Sequence, residues 1–263
     1  MANIDLLMVL QRGVDAWNEW RQTHLAKPGA KPDFSGANLA GFNLRGADLR
    51  RAIFKDANLS HANLDGVNLN DADFRDARLS QATLQNATLQ SADLKRADLS
   101  WANFQAADLS RCSFLEANLA HARFTGANLM QADLRRLNLQ AVDFHGASLR
   151  KANFSHSNLA LADLRQTDCR GANFKQAKFC GADLSRANLG GTNLRGGDLR
   201  RVYAHFINLR GSILREADLT EADFEGAEMS NTDLIDAILE GTNLTHVNLD
   251  ESFKPQRQPL AKA

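Results

Sequence analysis

The chain has one tyrosine, three cysteines and four prolines in 263 residues, and it has no apolar run that approaches the ~20 residues needed to span a bilayer. No transmembrane helix is therefore expected. The first ten residues contain Asp5 and lack the basic start of a secretory leader, so the expected location is cytoplasmic. Cys112, Cys169 and Cys180 are odd in number and follow no metal-ligand spacing, so a reducing compartment is the economical expectation. Glycines are spread along the chain rather than gathered into a phosphate-binding loop. Lys and Arg number 31 against 31 Asp and Glu, so no overall charge draws the chain to a polyelectrolyte.

What is present is a beat of five. A bulky apolar residue stands at every fifth position from Phe34 to Leu249 without insertion or deletion, giving 44 consecutive pentads. The centre is Leu in 30 and Phe in 11, and only Cys169, Ala204 and Met229 depart. On a helix a step of five winds the leucines around every side; on a straight strand it sends them to alternating faces. They share one interior only if the chain turns a corner every five residues and coils as a solenoid. Two residues before the centre stands Ala in 28 pentads, where a crowded axis leaves room for a methyl group. Asn or Asp immediately precedes the centre in 32, with side chains suited to bonding nearby backbone. Two residues after the centre fall 13 of the 17 glycines, where a corner needs conformational freedom. By the same grammar Cys112 occupies an Ala position and Cys169 a Leu position, so both read as small buried hydrophobes.

Ala37-Asn38-Leu39-Ala40-Gly41, Ala57-Asn58-Leu59-Ser60-His61 and Ala92-Asp93-Leu94-Lys95-Arg96 show the pattern directly. In this the chain resembles the pentapeptide-repeat family over about 220 residues. The resemblance implies an all-β solenoid, a right-handed quadrilateral β-helix of four pentads per coil and eleven coils. At about 4.8 Å per strand the rod would be roughly 50 Å long. A twenty-residue coil has an internal check. It places Phe34, Phe54, Phe74, Phe114, Phe154 and Phe174 in one column and Phe104, Phe124, Phe144 and Phe224 in the opposite one, leaving only Phe179 elsewhere.

Three segments follow. Residues 1–31 form an N-terminal helical cap and linker: Asn3 is placed to start a helix, Leu7, Leu10, Val14 and Trp17 lie along one stripe, and Gly13 weakens it. Pro28, Gly29 and Pro32 mark the passage into residues 32–251, the repeat region. Residues 252–263 form a tail expected to be disordered, in which Phe253 is placed to cover the last coil. Charge is distributed unevenly along the axis. Residues 135–215 carry 14 Lys and Arg against 5 Asp and Glu; residues 216–251 carry 11 acids and no Lys or Arg. A basic belt thus sits below an acidic end, a dipole suited to orienting a partner.

Catalysis finds no support in the sequence. The interior is filled with Leu and Phe, and no nucleophile has a base beside it. The aspartates belong to the repeat, and His61 and His121 share a column but lie three coils apart, about 14 Å, too far to share a metal. No enzyme, cofactor or metal site is therefore expected. The candidate partner-binding residues lie where the repeat breaks: Arg200, Arg201, Tyr203, His205 and Phe206, around a centre reduced to Ala204. Val202 and Ile207 restore the core volume lost there. That leaves the outward Tyr203, His205 and Phe206 unaccounted for, and Tyr and Arg are favoured interface anchors. Trp101 and Leu161, with His121, form a second stripe on another face. Two functional readings result: a non-enzymatic scaffold or regulator that binds an unidentified protein partner through its outer faces, or protection of DNA gyrase or another topoisomerase by DNA mimicry, which the family includes. Mimicry calls for an extended acidic face, and the acidic block spans only about two coils. Direct nucleic-acid binding through residues 135–215 has the charge but few interleaved aromatics.

Overall fold

A chain that turns every five residues must find partners for five backbone N–H groups per pentad without a long strand to supply them. In the computed structural model, which describes residues 4–24 and 31–249, the pentad centred on Leu59 shows the solution. The N–H groups of Leu59 and His61 donate forward to the next coil, to Arg78 O (2.7 Å) and Ser80 O (2.9 Å). Asn58 N–H donates back to Ala37 O at 2.9 Å, and Ala62 N–H closes the turn on Leu59 O at 3.1 Å. The fifth, Ser60 N–H, is taken by the Asn58 side chain at 3.1 Å. The Asn or Asp before each centre is thus the fifth acceptor. At two pentads that lack it a side chain from the preceding coil substitutes, Asp65 for Gln85 N–H at 2.9 Å and Asn70 for Gln90 N–H at 2.8 Å.

The resulting right-handed quadrilateral β-helix pairs each outward position with the one twenty residues on, from Asp33 with Ile53 to Glu228 with Asn248, always parallel. Corners are made two residues after each centre, where the backbone is left-handed at 43 described positions: 13 are glycine and 30 are not, with φ between 55° and 62°. Each centre of the first ten coils is buried. Rings stack up the columns, Phe34 on Phe54 at 5.3 Å and Phe54 on Phe74 at 4.9 Å. Opposite columns meet edge to face across the axis, Phe144 with Phe154 at 5.8 Å and 89°. A buried Thr or Ser at an Ala position donates its hydroxyl to the carbonyl three residues back, as Ser157 does to Phe154 O at 2.6 Å. One rung is missing from the series, between Asn118 and Asn138. There Leu137 stands buried in the small position.

The cap is two helices rather than one, α1 (Ile4–Gln11) and α2 (Val14–His24). Gly13, at φ 105°, breaks the single stripe the sequence suggests, and the two parts fold together with Leu6, Leu10 and Trp17 buried. Its polar side chains replace the coil that would precede the first. Asn18 Oδ1 accepts Asp48 N–H (2.8 Å), Trp17 Nε1 donates to Asp48 O (2.7 Å) and an Arg21 guanidinium N–H to Arg50 O (2.7 Å). The open edge of one face is thereby closed, while Trp17 rests on Phe34 at 5.6 Å. At the other end Leu234, Leu239, Leu244 and Leu249 are only partly buried by described residues. The roles assigned to Asn3, Pro28, Gly29, Phe253 and the tail at 252–263 lie outside the described residues. Trp17→Ala removes both the ring and the Asp48 bond, so it should cost about 3–5 kcal/mol. Urea unfolding followed by circular dichroism measures this, and an unchanged midpoint would show that the cap does not stabilise the stack.

Candidate docking surface

The coil from Arg200 to Leu219 departs from the repeat on one face. Val202 and Ala204 point inward and are buried, with Ile207 at the next small position, so the interior stays filled. Between them Tyr203 points outward and is 56% exposed, and Phe206 at the following corner is 60% exposed. Phe206 is held at φ 55°, in a conformation that disfavours bulky side chains. Its ring lies across Gly226 one coil up, where an added Cβ would come within 2.6 Å of it. Tyr203 sits in the ladder between Asp183 and Asp223 but cannot act as the fifth acceptor of its own pentad.

His205 lies between these two rings. Its Nε2 is 2.8 Å from Asp223 Oδ2, a contact between residues 18 apart that recurs as Thr125 Oγ1 to Asp143 Oδ2 at 2.7 Å. The Asp223 hydrogen bond raises the His205 pKa above its ordinary value against a smaller opposing effect of burial. At Asp223 burial acts upward, but the bonds from His205 and from Glu225 N–H bring the carboxyl below its usual range. Glu225 completes a group whose ligand atoms all lie within 4.8 Å of one another. Sequence reasoning tested only histidines in shared columns and so missed this group; the offsets of 18 and 20 residues are the signal that finds it.

The candidate arginines are less free than the rings. Arg200 is held by Asp198 at 2.8 Å, with Asp218 at 3.7 Å, and Arg201 by Glu221 at 2.6 Å. Both line an open notch with Cys180, Thr220 and Glu221. The second stripe does not lie on a separate face. Trp101, His121 and Leu161 occupy the corner column that continues through Gly181 to Arg201 and borders the face of Tyr203. Leu161 is therefore two coils from Arg201, about 10 Å, whereas Trp101 is five coils away, about 24 Å, and stacks on His121 at 4.1 Å. Ile213, Ile235 and Ile238 are exposed near the acidic end and were not singled out from the sequence, although Ile213 and Ile238 stand where the repeat uses Asn or Asp. Cys112 and Cys169 are buried as the repeat requires; burial raises the Cys112 thiol and pushes Cys169 up to about 12. No helix among the described residues is long and apolar enough to cross a membrane.

Parallel coils, four-sided corners and a five-residue core define a pentapeptide-type β-helix. Models of pentapeptide repeats match residues 33–71, 62–100, 157–196, 198–234 and 212–250, and a pentapeptide repeat region matches 87–164. The chain belongs to the pentapeptide-repeat family. Among solved structures it is similar to HetL, a pentapeptide repeat protein involved in heterocyst differentiation regulation from the cyanobacterium Nostoc sp. strain PCC 7120. The identity is 30%, over 89% of this chain and 97% of that one, with a TM-score of 0.36. It is also similar to QnrB1, a plasmid-mediated fluoroquinolone resistance protein, at 22% identity over 80% of this chain and 92% of that one, TM-score 0.40. A third is a pentapeptide repeat protein of the Arabidopsis thaliana thylakoid lumen, at 29% identity over 45% and 72%, TM-score 0.27. No curated protein shows significant sequence similarity to the chain.

The His205–Asp223 pair has a definite pH signature. His205 has its pKa raised on folding, so its contribution is complete below the unfolded value of about 6.5 and is lost as pH rises through the folded value. Asp223 has its pKa lowered, so its contribution is present above the unfolded value and lost as pH falls through the folded one. The melting-temperature difference between the wild type and His205→Gln should therefore be larger at pH 5.5 than at pH 8.5. A difference independent of pH would show that the pair is not formed.

Proposed function

We propose that the chain is a non-enzymatic interaction protein, a rigid rod that docks a protein partner on the face of Tyr203. The observation that carries this reading is the outward pair Tyr203 and Phe206 on one coil. Both rings are more than half exposed, and Phe206 occupies a left-handed corner where glycine carries no strain. His205 between them adds a polar, titratable contact, Leu161 extends the apolar area, and Arg200 and Arg201 form a paired charged rim. Trp101 with His121 is a second, separate contact point.

Topoisomerase mimicry is disfavoured by the placement of the acids. Glu216, Asp218, Glu221, Asp223, Glu225, Glu228 and Asp233 fall on all four sides of the last coils instead of along one face. The basic belt is also partly neutralised within the molecule, since Arg135, Arg165, Arg170, Arg195 and Arg215 are paired with acids.

The test uses substitutions that follow the repeat itself. Tyr203→Asn with Phe206→Gly restores pattern residues and should leave the fold intact. A partner captured from native lysate by the wild type should bind this variant at least ~30-fold more weakly, the effect of losing about 2 kcal/mol of anchor energy. Trp101→Gly should retain it. Equal capture by the double variant would remove this face as the docking site. Inhibition or protection of gyrase supercoiling at micromolar protein would instead restore the mimicry reading.

A further inference from the structure

The coil geometry sets three outward residues side by side wherever positions n, n+18 and n+20 meet at this corner: a residue after one centre, the residue before the centre one coil up, and the residue after that centre. Sets along this column include Thr125, Asp143 and His145; His145, Asp163 and Arg165; Arg165, Asp183 and Ser185; and Glu225, Asn243 and Thr245. They close hydrogen bonds or ion pairs, such as Thr125 with Asp143 and Arg165 with Asp183. The set His205, Asp223 and Glu225 alone in this series fills all three places with metal-ligating side chains, and their ligand atoms lie within 4.8 Å of one another.

The surroundings orient these ligands from outside the group. Asp223 Oδ1 accepts the Asn243 side-chain amide at 2.8 Å and Glu225 N–H at 3.1 Å, which turns Oδ2 toward His205 Nε2. A ligating carboxylate fixed by its own hydrogen bonds is the usual second layer of a metal site. The Glu225 carboxylate carries no hydrogen bond or ion pair among the described residues, and its three rotatable bonds let it close on a shared ion. Metal–ligand distances of about 2.0–2.2 Å set ligand atoms roughly 3.3–3.6 Å apart in a tetrahedron, so the widest separation closes by at most about 1.5 Å while His205 and Asp223, at 2.8 Å, open slightly. Asp183, one coil below Tyr203, adds negative potential at His205. A neutral imidazole with two carboxylates leaves a charge of −2 for a divalent ion to balance, in a donor set that suits zinc better than magnesium or calcium.

We propose that His205, Asp223 and Glu225 form a zinc-binding site at the rim of the Tyr203 face. Zinc takes the His205 Nε2 lone pair in place of the hydrogen bond to Asp223, the neutral imidazole carrying its proton on Nδ1, and three protein ligands leave a coordination position open to water. The site stands whether or not a protein docks on the neighbouring rings.

Calorimetric titration of the full chain with zinc chloride at pH 7.5 tests it. One saturable equivalent is expected, weakened at least tenfold in both His205→Ala and Glu225→Gln and unchanged in His156→Ala, with magnesium giving no comparable heat. Nitrogen-15 shifts of the histidine rings in the wild type give a second readout that does not depend on any variant folding: His205 should respond first to substoichiometric zinc. Absence of saturable binding, equal affinity in both site variants, or shifts confined to the other histidines would overturn the proposal.

Discussion

The parallel backbone ladder between residues twenty apart is the constraint on which the rest depends. It fixes which side chains are neighbours, because each outward residue lies above its counterpart one coil down and beneath its counterpart one coil up. It can persist only if every pentad turns the same corner, which requires a left-handed residue at each one. For an L-residue other than glycine that conformation costs about 1–2 kcal/mol. Thirty such corners would be prohibitive without the stacked core and the inter-coil hydrogen bonds that hold them. Stability is therefore shared between neighbours rather than owned by any one coil.

This constraint also explains why side chains on the outside are sorted by function. The Asn and Asp before each centre are committed to the fifth N–H, so their negative charge is largely structural. Arginines two residues further on turn back onto these carboxylates, as Arg75 does on Asp73 and Arg170 on Asp168. A count of charges along the sequence therefore overstates what a partner would meet. The exposed rings at Tyr203 and Phe206 are held in no such ion pair, although Phe206 lies across Gly226.

The core, its four columns and the exceptional coil at Ala204 were legible in the sequence, because a period of five admits one arrangement and every departure stands out against it. The opposed Phe columns are a particular success, since Phe114 and Phe124 do meet edge to face. Less legible was anything set by the third dimension. The break at Gly13 was visible as a weakness, but whether it bends the helix or divides it depends on how Trp17 seats on Phe34. The missing rung at Asn118 and Asn138 coincides with Leu137, in a position the repeat otherwise keeps small. The stripe of Trp101 and Leu161 seemed remote from Tyr203 because sequence distance hides a shared corner. His205, Asp223 and Glu225 come together through an offset of 18 that has no meaning until the coil length is known.

The uninterrupted count of 44 pentads also makes the rod behave like a screw of fixed pitch. Removing twenty consecutive residues from its middle shortens it by one coil and leaves every column aligned above and below the join. Removing five turns everything beyond the join by a quarter revolution. A recognition surface assembled from residues on both sides, such as Leu161 with Tyr203, survives the first change in orientation and is divided between adjacent sides by the second. The angular placement of contacts is thus encoded in residue number modulo twenty, independently of what the residues are.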